Sequence, residues 1–100
     1  MRITVREASR SKYLPDDYGY WFVHLEFCPL DWQMPLGTIE DAFALGFCDR
    51  LLNHWKDFIE SLGFSPCWIQ TFMDGFQAGF QTQEEAEELA TKLKSLPCNL

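Results

Sequence analysis

The run Tyr20-Trp21-Phe22-Val23-His24-Leu25-Glu26-Phe27-Cys28 constrains the fold more than any other stretch of the chain. Aromatic and β-branched residues suit a pleated, half-buried surface, so this run is expected to be a strand. Side chains alternate across a strand. Trp21, Val23, Leu25 and Phe27 then share one face, and Tyr20, Phe22, His24 and Glu26 share the other. Pro29 ends the run, because proline brings no N–H to a ladder. A strand with large rings on both faces belongs in a sheet that something must cover on at least one side.

Three more strands supply that sheet. Arg2 to Arg6 alternates, with Ile3 and Val5 on one side. Cys67 to Gln81 has the pattern of a hairpin about Asp74-Gly75, a strong two-residue turn signal. That loop pairs Ile69 with Phe80, Thr71 with Ala78 and Met73 with Phe76 on the core side. It leaves Trp68, Gln70, Phe72, Gln77 and Gln81 on the reverse. Ser9 to Gly19 and Pro29 to Gly37 hold the prolines, glycines and aspartates of loops.

Two helices complete the chain. Thr38 has the position of an N-cap, with Glu40 and Asp41 in the favoured first turn. Leu45, Phe47, Cys48, Leu51, Leu52, Trp55, Phe58, Ile59 and Leu62 follow at three- and four-residue steps. This predicts an amphipathic helix of about seven turns, closed by Gly63 and Phe64 in a Schellman motif. Thr82-Gln83-Glu84-Glu85 forms a capping box. It opens a second helix with Ala86, Leu89, Ala90, Leu93 and Leu96 as its stripe, stopped by Pro97. The order is ββαββα, an α+β fold: a four-stranded, mainly antiparallel sheet with both helices on one face. The hairpin and acid-capped helix, Trp68 to Leu93, loosely resemble the hairpin–helix unit of phage-integrase arm-binding domains. That unit is acidic here where a DNA reader is basic, so the resemblance implies no function.

A chain of 100 residues fits one domain, 1–100. The formal charge is −7, but it is unevenly placed. Residues 1–12 hold Arg2, Arg6, Arg10 and Lys12 against Glu7, giving 4 − 1 = +3. The remaining 88 residues hold four bases against fourteen acids, giving 4 − 14 = −10. The N-terminus has no apolar core of a signal peptide, and no run approaches the length of a membrane span. A cytoplasmic location follows as an expectation. Cys28, Cys48, Cys67 and Cys98 form no CxxC pair, so no metal or other cofactor is expected. Cys98, after Pro97, is the thiol expected to be most exposed.

With both helices on one face, the other face of the sheet stays open. Arg2, Thr4 and Arg6, then Tyr20, Phe22, His24 and Glu26, then Trp68, Gln70, Phe72, Gln77 and Gln81 would line it. A water-facing sheet side is normally polar, whereas Trp, Tyr and Arg concentrate at interface hot spots. Arg2, Arg6, Tyr20, Phe22, His24, Trp68 and Phe72 are therefore a candidate binding surface. The two loops, with Trp32, Met34 and Leu36, are an alternative cover for it. A symmetric homodimer packing sheet on sheet is another.

Glu84, Glu85, Glu87 and Glu88 are a second candidate surface, able to present carboxylates to a basic groove in place of phosphates. The same residues also make an ordinary solvated helix start. His24, with Glu26 two residues on, could tune a proton donor, while His54 borders the first helix's apolar face. No catalytic motif surrounds either, and none of the Gly-rich phosphate loops is present. The expectation is a non-enzymatic module that binds another protein, or itself, as a regulator or inhibitor. Small inhibitors from phages and mobile elements, anti-CRISPR proteins among them, are the class-level analogy. Single-stranded nucleic acid stacked on the open face is one alternative, opposed by the charge of the body; a small enzyme or a structural homodimer subunit is the other.

Overall fold

The computed structural model describes residues 1–33 and 46–97. Strands β1 (Arg2–Glu7), β2 (Trp21–Glu26), β3 (Trp68–Phe72) and β4 (Gly75–Phe80) form one antiparallel sheet in the order β1-β2-β4-β3. Among the described residues, a 3-10 turn at Leu30–Trp32, helix α1 (Phe47–Ser61) and helix α2 (Gln83–Ser95) give, with the strands, the order ββαββα. The α+β fold with two helices on one side of a single sheet is the one expected. Among the described residues, no helix is long and apolar enough to cross a membrane.

The core lies between the sheet and the helices. Val23 and Leu25 of β2 and Phe76, Ala78 and Phe80 of β4 meet Leu51, Trp55 and Ile59 of α1 and Ala86, Leu89 and Leu93 of α2. Each helix packs mainly on the strands of the other half: α2 crosses β1 and β2, while α1 lies against β3. Trp55 is the largest fully buried side chain, with its ring 5.1 Å from Phe76 and 5.6 Å from Phe58. Its indole N–H has no hydrogen-bond partner among the described residues.

Local signals place the helix ends. Gly63 takes φ +93°, and its N–H reaches Glu60 O at 2.9 Å while Phe64 N–H reaches Ile59 O at 3.4 Å. These are the two bonds of the Schellman motif. Thr82 Oγ1 accepts from Glu85 N–H at 3.2 Å, capping α2. The expected seven-turn helix is shorter. Gly46, left-handed at φ +88°, is its N-cap, so α1 starts at Phe47. Thr38, Glu40, Asp41 and Leu45 lie outside the described residues, as do Met34, Leu36 and Cys98. The apolar face is also narrower than expected, because Cys48 and Leu52 are exposed.

Two strand details differ from expectation. Phe27 adopts φ +54°, which turns its side chain out of the core row to 62% exposure and ends β2 early. Phe27 N–H and Cys28 N–H then bond to Asp74, at Oδ2 and O. The hairpin is shifted by two residues. Phe72 pairs with Gly75, Thr71 with Phe76, Gln70 with Gln77 and Ile69 with Ala78. The turn is therefore Met73-Asp74, and Met73 is exposed rather than opposite Phe76.

Gly75 explains the shift. Its φ is not left-handed, so it does not serve the turn. A Cβ at Gly75 would sit 1.9 Å from the Leu25 carbonyl oxygen, so glycine lets β2 approach β4 there. A shift of two residues keeps each side chain on its own face, and the expected faces are the observed ones.

Candidate functional site

The face of the sheet opposite the helices is organised in rows by the strand register. Arg6, Phe22, Gly79 and Trp68 form one row across β1, β2, β4 and β3. Thr4, His24, Gln77 and Gln70 form the next. Arg2 and Glu26 begin a third, which Phe72 ends opposite Gly75.

Gly79 positions the largest ring. A Cβ on Gly79 would lie 2.0 Å from Trp68 Nε1, so the indole occupies the space above the glycine. There it meets Phe22 at 6.0 Å between centroids and donates its N–H to Gly19 O at 2.9 Å. Gly19 holds φ +95° and passes close to Cys67, so no side chain fits there either. Tyr18 stacks on the indole as well, at 5.7 Å and 19°. Phe72 leans toward His24, at 5.7 Å. Phe22, Trp68, Phe72 and Tyr18 are all half-buried. Tyr18, Trp68 and Phe22 form one ring cluster, and Phe72 with His24 forms a second on the same face.

The loop between β1 and β2 covers one end of this surface. Tyr20 is only 3% exposed; its hydroxyl donates to Leu14 O and the Arg10 guanidinium lies 4.5 Å from its ring. Tyr20 is thus a support beneath the loop, not a contact residue as its alternation suggested. The second expected cover does not reach this face where it is described. Trp32 packs at 5.3 Å against Phe58, and its carbonyl accepts from His54 Nε2 at 2.7 Å, on the helix side. Because a carbonyl only accepts, that bond fixes the proton of neutral His54 on Nε2.

The basic N-terminal segment is largely committed within the molecule. Arg2 forms an ion pair with Glu26, and Arg10 pairs with Glu7 at 3.4 Å. Lys12 sits over the Tyr13 ring at 5.2 Å. Arg6 is exposed at the end of the Phe22 row. His24 Nε2 is 3.9 Å from Glu26 Oε1, so His24, Glu26 and Arg2 form a small charged corner beside Phe72.

The four glutamates separate. Glu84, Glu87 and Glu88 line an open groove of about 560 Å³ with Leu62, Phe64 and Lys92. Glu85 is not in that lining; its carboxylate accepts from the Thr82 hydroxyl at 3.1 Å within the cap. The groove thus has an apolar floor and a mainly acidic rim, with Glu87 also accepting from Gln83 Nε2 at 3.0 Å.

Burial raises the Cys28 thiol pKa, opposed by a bond to the Gln33 side chain and assisted by Asp74. Burial also raises that of Cys67, with Glu85 and Asp17 adding to it. Both therefore stay protonated thiols at neutral pH, which makes them poor nucleophiles. Among the described residues, no group of three or more His, Cys, Asp or Glu is placed to hold a metal ion.

Tyr18, Gly19 and Gly79 were absent from the expected surface. The signal for Gly79 is a glycine inside a strand opposite a tryptophan, where an aromatic ring covers the missing side chain. The expected hairpin register hid it, because Ile69 opposite Phe80 sets Trp68 opposite Gln81 rather than Gly79. No protein-family model, curated protein or solved structure matches the chain.

Proposed function

We propose that this protein is a small non-enzymatic module that binds another protein through the open sheet face, in a regulatory or inhibitory role. One observation carries the proposal: Phe22 and Trp68, in ring contact, and Phe72, in contact with His24, share a sheet face that neither described helix covers. Burying an aromatic side chain removes about 150–250 Å² from water, so three rings supply the centre of an ordinary interface. Arg6, exposed at one end, and the Arg2–Glu26–His24 corner at the other supply a polar rim. The test is capture from a lysate of the native host by immobilised protein. Phe22→Gln with Phe72→Gln is expected to abolish capture while the circular dichroism spectrum stays unchanged. Capture that survives both changes removes the sheet face from the function.

The acidic groove favours a second contact for a basic partner segment. Glu84→Gln, Glu87→Gln and Glu88→Gln together would weaken that contact and reduce its salt dependence. Single-stranded nucleic acid on the aromatic face is the competing proposal. It has less to recommend it, since Arg2 is paired with Glu26, and among the described residues of these rows Arg6 is the other exposed base. An oligonucleotide that binds at low salt, and binds less well after Arg6→Ala, would favour it over a protein partner.

A further inference from the structure

We propose that a second copy of this chain adds to the sheet along β3, making a continuous eight-stranded sheet across a two-fold axis at Gln70. Among the described residues, the strand order leaves two edges, β1 and β3. Edge strands present unpaired backbone groups, and proteins blunt them with charge, proline or bulges. β1 is blunted: its six residues include Arg2, Arg6 and Glu7. Pairing β1 with itself about Thr4 would set Arg2 opposite the partner's Arg6, like charge against like charge. β3 has no such protection, because Trp68-Ile69-Gln70-Thr71-Phe72 carries neither charge nor proline.

The residue pattern of β3 also points to the occupant. Outward from Gln70, each direction runs through a β-branched residue to an aromatic. A symmetric interface uses the same patch on both subunits, so the strand must complement itself when reversed. Antiparallel pairing about Gln70 does this at every position. Trp68 faces the partner's Phe72, Ile69 faces the partner's Thr71, and Gln70 faces the partner's Gln70. Aromatic pairs are among the favourable cross-strand combinations, and β-branched residues suit a pleated surface. A foreign segment would need no such symmetry in β3.

The faces match as well as the edge. Trp68 and Phe72 lie on the open face, so the two aromatic surfaces would join into one. Ile69 and Thr71 lie on the helix side, where Ile69 already packs against the core. Five residues per strand is a small contact, so a concentration-dependent equilibrium between monomer and dimer is expected rather than an obligate dimer.

Gln70 is exposed and lies on the proposed axis, which gives a test specific to the register. Sedimentation velocity over a concentration series should show the wild type passing from monomer to dimer. Gln70→Lys and Gln70→Glu each place like-charged residues directly opposite one another, with Cβ atoms about 5 Å apart across the axis, so each should dissociate several-fold more readily. An equimolar mixture should associate more tightly than either variant alone, as Lys meets Glu. Thermal unfolding at low concentration should be the same for all three, separating lost association from lost fold. A wild type that stays monomeric to its solubility limit overturns the proposal. So does a variant that dimerises as the wild type does, or a mixture that gains nothing. The outcome is distinguishable from partner capture on the sheet face, because the Gln70 variants leave Phe22, Trp68 and Phe72 unchanged and self-association is read with no partner present.

Discussion

Gly79 has no side chain, yet it determines where the largest ring of the open face sits. Trp68 occupies the place of its Cβ, bonds to Gly19 O and meets both Tyr18 and Phe22. Gly79→Ala should lift the indole from this seat. Overpacking of this kind costs about 1–3 kcal/mol, measurable in urea unfolding. The intrinsic fluorescence should shift to longer wavelength as Trp68 loses its cover, and partner capture should fall with it. At this scale the sequence was only partly legible. Alternation assigned Phe22, His24, Trp68 and Phe72 to one face, because a strand's period is insensitive to its neighbours. It failed at Tyr20 and Phe27 for opposite reasons. Tyr20 is buried by a loop with no periodic pattern, and Phe27 is turned outward by a left-handed backbone that a phenylalanine rarely adopts.

The elements were legible wherever a local rule fixes them. The Thr82 cap, the Gly63 closure and the alternation of β2 act within a few residues, so sequence alone suffices. Thr82→Ala should cost about 1 kcal/mol through the lost cap, with fraying confined to the first turn of α2 in amide exchange. Hairpin register was not legible. Two pairings that differ by two residues keep every side chain on its own face, so the hydrophobic pattern cannot choose between them. The choice is made by β2, whose Leu25 carbonyl fits against Gly75 and leaves Asp74 to receive the N–H groups of Phe27 and Cys28. A contact from a third strand thus overrides a turn signal. The start of α1 likewise depends on Gly46 adopting a left-handed conformation, which interrupts a stripe that looks continuous from Leu45 onward.

The whole molecule is interleaved. α2 follows the β3–β4 hairpin in the chain but packs across β1 and β2, and α1 follows β2 but packs against β3. Neither half therefore holds its own core. Fragments 1–65 and 66–100 should each lack fixed tertiary structure alone and regain the native near-ultraviolet circular dichroism when mixed. A fragment that folds by itself would show that one half suffices. The asymmetry of charge looks different at this scale too. The basic segment is tied down by Glu7 and Glu26, so the excess acid of the body is what a distant partner meets first.

The central seam of the sheet joins β2 to β4, where Phe22 stands beside Gly79 although 79 − 22 = 57 residues separate them in the chain. Closing a loop of that length has an entropic cost before any contact rewards it. The β3–β4 hairpin, closed by two residues, can form long before the seam. Folding should then be limited by zipping β2 onto β4, and while that seam is open both central strands are exposed edges. The seam is where a chaperone would find this chain during synthesis, and where misassembly would begin if synthesis outran folding.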